Sequence, residues 1–314
     1  MALQEEFESQ GIWLFRYRGS LPIIILIIAI YFYIQSQLNP KLNCFQTEQA
    51  VTYFEYFCLA ISLLGLYIRS YTVGHTPNNT SGRNVTEQVA DTVNTTGIYS
   101  TLRHPLYLGN FFMWLGPALL TQNWWFNIAF GFFYWVYYER IMFAEEQFLR
   151  KKFGALYTDW AAKTPAFIPS FAKFVKPNLP FSWKKVIKKE KNGLAATFLI
   201  FALFNIAGNY VQHKTTYNGF FITAAVLSSL LYIILKYIKS TITVSLAAQL
   251  GVLPLGIYYF QGTSVYFIIT NFFAIPLSFV MLIAGLTLLI FSWIPLLQLV
   301  LTKICVWSTF LLLY

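Results

Sequence analysis

The chain has 314 residues, of which 57% are apolar, 19% aromatic and 11% charged, with a mean hydropathy of +0.55. Soluble globular domains carry about 25% charged residues, so this composition excludes most soluble enzymes; it also excludes disorder, which needs low hydrophobicity. It predicts an all-α fold, a polytopic transmembrane bundle of about eight to nine spans. The net charge of +10 is clustered, because 12 of the 22 Lys and Arg residues lie between Arg140 and Lys191. Basic residues between apolar spans fit a surface facing anionic lipid at the cytoplasmic side. They do not call for nucleic acid, and none is expected for residues 1–239. Cys44, Cys58 and Cys305 match neither a metal-ligand spacing nor a disulfide framework, so no metal site is expected.

In chain order, Glu5, Glu6, Glu8, Arg16 and Arg18 precede the first apolar run, and no small-residue cleavage site follows it. No cleavable signal is expected. Residues 21–37 form a first span and 51–68 a second, with Glu55 near its entry. A polar loop runs from Arg69 to His104. Spans at 106–121 and 124–140 are joined by Thr121-Gln122-Asn123, which implies an antiparallel hairpin. The aromatics of 124–137 read as lipid-facing or packed span. A wet segment covers 141–192, and spans follow near 193–210 and 218–236. Beyond Ser240 the chain is apolar to Tyr314, interrupted by Gly251, Pro254, Gly262, Pro276, Gly285 and Pro295. Arg16 and Arg18, the 69–104 loop, the 140–192 segment and Lys236 with Lys239 all fall on one side, against Lys41 and Lys214 on the other. The positive-inside rule then makes the first set cytoplasmic, with the N-terminus inside. The triplets at Asn79, Asn84 and Asn94 read as a polar cytoplasmic loop rather than as glycosylation sites.

Ionisable groups beside spans either work or pair. The densest run is Thr96 to Asn110, TGIYSTLRHPLYLGN. Pro105 suits the first turn of a helix. Arg103 and His104 then sit at a helix N-terminus, where free N–H groups and the dipole favour an anion. Tyr107 and Gly109 follow within the next turn and a half, and Gly109 allows close approach of a ligand or another helix. The second group is Tyr138, Glu139, Arg140, Glu145, Glu146 and Phe153 to Tyr157. Tyr138 and Glu145 share a helix face, as do Glu139 and Glu146. Glu146 and Arg150 are spaced for an i,i+4 pair. An interfacial helix with ordinary ion pairs competes with function for Glu146, whereas the aromatic surroundings of Glu145 favour function. His75 and Arg83, in the preceding loop, divide evenly between capping a pocket and simple loop residues; Arg69 and His213 read as a topology charge and a solvated loop residue. A basic helix end, aromatic faces and a carboxylate suit S-adenosylmethionine, whose carboxylate, ammonium, hydroxyls and sulfonium each find a partner. Other anionic or zwitterionic ligands fit the same chemistry.

GIYSTLRHPLYLGN (97–110), then ERIMFAEEQFLRKKFGALYTDW (139–160) and Thr164 to Pro169, resembles the isoprenylcysteine carboxyl methyltransferase-like family over about residues 50–170. More loosely, 1–239 is similar to bacterial integral-membrane members of that family, some named as lipid A 1-phosphate methyltransferases. The resemblance implies a membrane methyltransferase domain at 1–239 and a cytoplasm-facing S-adenosylmethionine pocket. Its acceptor is a membrane lipid or lipidated acid, a lipid phosphate or a prenylcysteine-type carboxylate, entering from the bilayer. Carried over by motif, Tyr99, Arg103, His104, Tyr107, Gly109, Glu145 and, more weakly, Glu146 bind the cofactor. Arg140 faces the acceptor's negative group and, with Glu145, forms the catalytic pair.

From Ser240 the sequence resembles a transmembrane stretch of ComEC-type competence channels, carried by Ser245 to Leu250, Leu253-Pro254, Tyr258 to Phe260 and Asn271 with Ala274 to Pro276. Large parts of such channels have no counterpart, which points to a partial or fused segment at 240–314. Residues 240–314 hold no acidic residue or histidine. Gln249 and Asn271 are expected to satisfy each other or pair across helices. The alternative functions are a component or fragment of a DNA-uptake channel and a non-catalytic membrane scaffold. The expected location is a multi-pass position in a bacterial inner membrane.

Overall fold

The computed structural model describes residues 2–39, 43–77, 90–215, 217–260, 267–291 and 295–313. Among them the chain is all-α. Its helices are α1 (Leu3–Arg16), α2 (Leu21–Leu38), α3 (Glu48–His75), α4 (Pro105–Leu120), α5 (Trp124–Phe153), α6 (Ala155–Ala161), α7 (Trp183–Val211), α8 (Gly219–Phe260), α9 (Phe267–Phe291) and α10 (Pro295–Leu313). The chain divides into two compact units, 1–229 and 230–314. Among the described residues, four helices are long and apolar enough to cross a membrane, at Glu48–His75, Trp183–Val211, Gly219–Ala247 and Ile269–Leu289. Pro22–Leu38 and Gln298–Leu312 are shorter apolar helices. The 16 residues of α4 rise only about 24 Å at 1.5 Å per residue, short of a hydrocarbon core about 30 Å thick. In α5 the apolar first half gives way to seven charged residues between Glu139 and Lys152. Length and composition thus establish four of the expected eight to nine spans among the described residues.

The predicted hairpin forms. Thr121 to Asn123 link α4 and α5, and the Asn123 side chain caps α5 by accepting a hydrogen bond from the Phe126 N–H at 2.9 Å. Thr47 caps α3 in the same way, accepting from Ala50 N–H at 3.3 Å. Pro105 opens α4 as expected. Gly154, at φ +55°, ends α5 and starts α6, a backbone conformation that side chains disfavour. The aromatics of the hairpin split as predicted. Trp124, Trp125, Phe132 and Phe133 are exposed on the protein surface, while Phe126, Phe130, Tyr134 and Tyr138 are buried in the core.

Two contacts set the geometry around the site. The amphipathic α1 lies on α5, with Gly11 directly against the Arg140 carbonyl and Ala144 and Tyr137 donating to the Leu14 carbonyl at 3.1 Å. Helices α3 and α4 approach at Gly65 and Gly109. A Cβ on Gly109 would sit 2.5 Å from Arg69 Cγ and 2.8 Å from the Gly65 carbonyl oxygen. Gly109→Ala is expected to force the helices apart and lower stability by about 1–3 kcal/mol, read as an earlier thermal unfolding in detergent. An unchanged midpoint would contradict this close packing.

In the second unit, Tyr237 donates to the Phe272 carbonyl at 2.6 Å. Asn271 donates to the Ser245 hydroxyl at 3.2 Å, so it pairs across helices, with Ser245 as its partner. The Gln249 side chain lies outside the described residues, as do Asn79, Arg83 and Asn84.

Candidate active site

The two sequence groups, about 40 residues apart in the chain, meet where the start of α4 crosses the second half of α5. His104 Nε2 lies 2.9 Å from Glu146 Oε1, and Arg103 Nη1 donates to Glu146 Oε2 at 2.8 Å. The Tyr107 hydroxyl donates to Glu145 Oε2 at 2.9 Å, and His104 Nδ1 stands 3.7 Å from the same oxygen. His104 and Tyr107 stack with ring centroids 5.7 Å apart, and Tyr107 packs on Tyr138 at 5.0 Å. Beneath them the Tyr134 hydroxyl donates to the Tyr107 carbonyl at 2.6 Å. A single histidine therefore stands between two adjacent carboxylates, each with a separate further donor.

The two carboxylates are not equivalent. Glu146 is 15% exposed and both its oxygens are engaged, whereas Glu145 is 35% exposed. Glu145 is the one positioned to meet a ligand, and Glu146 holds α4 to α5. The expected i,i+4 bond from Glu146 to Arg150 does not form, because Arg103 and His104 of the neighbouring element take both oxygens. Burial raises the Glu146 pKa, but the His104 hydrogen bond and the charges of His104, Arg103 and Arg150 outweigh it and hold the carboxyl below its ordinary value. A lowered native pKa contributes stability that is present above the unfolded carboxylate pKa and is lost as pH falls through the native one. Acidification below about pH 4 is expected to loosen the α4–α5 contact, and Glu146→Gln to flatten that acid limb of the unfolding profile. An identical limb in the variant would contradict the assignment.

Arg103 and His104 sit at the N-terminus of α4 as expected, and their own N–H groups have partners. Arg103 N–H donates to the Pro165 carbonyl at 2.8 Å and His104 N–H to the Ala166 carbonyl at 3.2 Å. Ser170 N–H donates to the Thr101 carbonyl and Gly97 N–H to the Val175 carbonyl, both at 2.9 Å. The Thr164 to Pro169 motif thus supplies the acceptors that fix the approach to α4. These two donors are spent on the fold. Tyr99 sits in the short 3-10 turn Ile98–Ser100. Burial and then the nearby Glu145 charge push its hydroxyl up, against the opposing Asn94 hydrogen bond and Arg69 charge, which places Tyr99 in the same cluster.

Two expected site residues lie elsewhere. Gly109 has a packing role against Gly65 and Arg69. Arg140 faces α1, where its guanidinium rests 3.4 Å from the Phe7 ring centroid and donates to Glu139 at 3.2 Å. His75, another candidate, expected in a loop, is the last residue of α3. Its Nδ1 lies 2.8 Å from the Leu179 carbonyl, between the Tyr71 and Phe181 rings.

The reading of Arg69 as a topology charge is also corrected. Its Nε and Nη2 donate to the two oxygens of Glu190 at 2.9 and 2.8 Å, and Nη1 donates to Asn110 Oδ1 at 2.7 Å. Glu190 is buried. This bidentate bridge ties α3, α4 and α7 one turn behind the His104 cluster. Tyr157 is a further residue with no assigned role in the sequence. Its buried hydroxyl lies against the Arg103 guanidinium, which acts on it through hydrogen bonding and charge.

Comparison with known proteins places this geometry. Residues 56–155 match the phospholipid methyltransferase family model, and residues 194–314 match the competence protein family model. The first match contains every residue of the cluster. The chain is 32% identical over 118 residues to a protein-S-isoprenylcysteine O-methyltransferase of Schizosaccharomyces pombe, covering 35% of this chain and 48% of that protein. It is 31% identical over 138 residues to the enzyme of that name from Saccharomyces cerevisiae, covering 43% of this chain and 57% of that protein. It is 34% identical over 94 residues to the nickel-cobalt-cadmium resistance protein NccN of Alcaligenes xylosoxydans xylosoxydans, covering 30% and 41%. The matches to the two yeast proteins thus span about half the length of each. No solved structure matches. The competence match begins at residue 194, inside α7, ahead of both Ser240 and the structural division at 229/230.

Proposed function

We propose that residues 1–239 form an integral membrane O-methyltransferase that takes its methyl group from S-adenosylmethionine and acts on an acidic lipid or lipidated acceptor. The observation that carries this reading is Glu145. It is a partly exposed carboxylate, oriented by Tyr107 and His104, within the phospholipid methyltransferase match. The donor set fits the cofactor. Glu145 has acceptor capacity for an ammonium or ribose hydroxyl, and the Arg103 guanidinium, which holds Glu146 through Nη1, supplies the positive charge a carboxylate needs. The rings of Tyr99, Tyr107 and Tyr138 supply π faces suited to a sulfonium.

When bound, S-adenosylmethionine supplies a methyl group on a positively charged sulfur. The protein's part is positioning. Tyr107 fixes Glu145, His104 and Arg103 with Glu146 fix α4 against α5, and Tyr99 borders the proposed cofactor site. A carboxylate or phosphate acceptor is already ionised at neutral pH, so no strong general base is needed. Holding the reactants in line contributes as much as about 7–11 kcal/mol, and excluding water favours the mutual neutralisation of opposite charges. Arg140 is the proposed contact for the acceptor's negative group, reached by leaving the Phe7 ring. We place the site at the cytoplasmic face with the N-terminus inside, on the distribution of basic residues, and count α2 to α5 and α7 to α10 among the spans.

The test offers methyl-labelled S-adenosylmethionine to the purified protein with either a long-chain lipid phosphate or a prenylcysteine. Label on the acidic lipid supports the reading. Mild alkali separates the acceptors, because it releases a carboxyl methyl ester and leaves a phosphate methyl ester intact. No transfer to either acceptor, with the cofactor bound, counts against this acceptor class.

A second reading concerns residues 240–314, which lie within the competence match. We propose that they are a transmembrane segment of the competence-channel kind with no catalytic group of their own. Deleting His104 and Glu145 function should leave any role of that segment untouched.

A further inference from the structure

At the end of the first unit remote from His104, α2, α3 and α7 with Lys214, Tyr217 and Asn218 surround an open cavity of about 540 Å³. Glu55 of α3 lines it, fourteen residues and so about 21 Å along the helix axis from Arg69. Lys214 at the rim is paired with Glu48 at 2.8 Å. Among the described lining residues, Glu55 has no direct hydrogen-bond or ion-pair partner and feels Lys214 only through space, inside an otherwise apolar stretch where a carboxylate is costly unless it serves a function. Asn205, Asn209 and Gln212 present amides on one side of the wall. They are held in place by mutual bonds, Asn209 to Asn205 at 3.2 Å and Gln212 to Gln37 at 2.6 Å. Tyr33, Phe45 and Tyr217 add aromatic rings.

We infer that this cavity binds an organic ammonium group, with Glu55 as its counter-ion. The formal charges of the described lining residues, Glu48, Glu55 and Lys214, sum to one negative charge, and with amide oxygens and π faces they form the set that recognises an alkylammonium. The volume is far larger than a bare metal ion needs, and no group of three metal-ligating side chains occurs among the described residues. An ethanolamine group has this chemistry, whether free or as the headgroup of a membrane lipid. The inference is independent of the methyl-transfer reading, since none of the residues in that cluster lines the cavity.

The test uses the full chain, delipidated in detergent and offered phosphatidylethanolamine or phosphatidylglycerol, with retained lipid read by native mass spectrometry. Phosphatidylethanolamine is expected to be retained at least tenfold over phosphatidylglycerol. Glu55→Gln removes the charge with little change of shape, and Val51→Trp fills the cavity from α3 without touching a charge. Both are expected to lower that preference at least tenfold. Displacement by millimolar ethanolamine supports the free amine as sufficient, and its failure supports the intact lipid as ligand. Equal retention of the two lipids, or an unchanged preference in either variant, overturns the inference.

Discussion

Glu145→Gln is expected to weaken S-adenosylmethionine binding about a hundredfold while leaving thermal unfolding within about 1 kcal/mol of the parent. A hydrogen bond to a charged group contributes about 1.5–3 kcal/mol, and a hundredfold in affinity is about 2.7 kcal/mol. The substitution keeps the side-chain shape and can still accept the Tyr107 hydroxyl, now at 2.9 Å, so the fold loses little. His104→Ala is the harsher companion. It removes the ring between Glu145 and Glu146 and frees both carboxylates to move, so binding should vanish. Arg103 still holds Glu146 at 2.8 Å, which limits the loss of stability. Calorimetry and a melting curve on the same samples separate the two effects. Parent-like affinity in both variants would remove the cluster from the cofactor site and favour the scaffold alternative.

The second large effect is on stability. Arg69→Ala or Glu190→Ala is expected to cost about 3–5 kcal/mol, because each leaves its buried partner charged and alone. Side-chain exposures of 19% and 5% leave little solvent to screen the pair. Replacing both residues together, Arg69→Met with Glu190→Leu, is expected to recover most of that loss, since an apolar pair of similar volume needs no compensation. Asn110, which accepts the third guanidinium bond at 2.7 Å, would lose its donor and keep the recovery incomplete. Unfolding of the three variants in detergent checks this. A single variant as stable as the parent would mean that the bridge contributes nothing to holding α3, α4 and α7 together.

The sequence made the elements of the site legible and left its wiring hidden. Pro105, Asn123 and the three-residue link show the α4–α5 hairpin because capping and turn chemistry are local. Tyr138 and Glu145 are visibly on one face because helical spacing is local too, and Tyr107 reaches that face in the structure. The partners of Glu146 are not local. The i,i+4 rule offered Arg150, but Arg103 and His104 arrive from 43 and 42 residues away and are held in place by the Pro165 and Ala166 carbonyls. Arg69 and Glu190 were hidden for a similar reason. One closes an apolar stretch and the other sits in a lysine-rich run, and each looks ordinary until the fold brings them together. Arg140 was placed by motif alone. The packing of α1 on α5, which turns it toward Phe7, has no signature in the Arg140 neighbourhood. Length and composition alone do not identify every expected span, because α4 is short and α5 spends its second half on charge.

Equilibrium binding of S-adenosylmethionine to the purified full chain, by calorimetry in detergent, tests the central claim most directly. Saturable binding at one site per chain, with micromolar affinity that falls in Glu145→Gln and disappears in His104→Ala, is the predicted result. Absence of binding by monodisperse, cooperatively unfolding protein would contradict the assignment of the His104 and Glu145 cluster as a methyl-donor site.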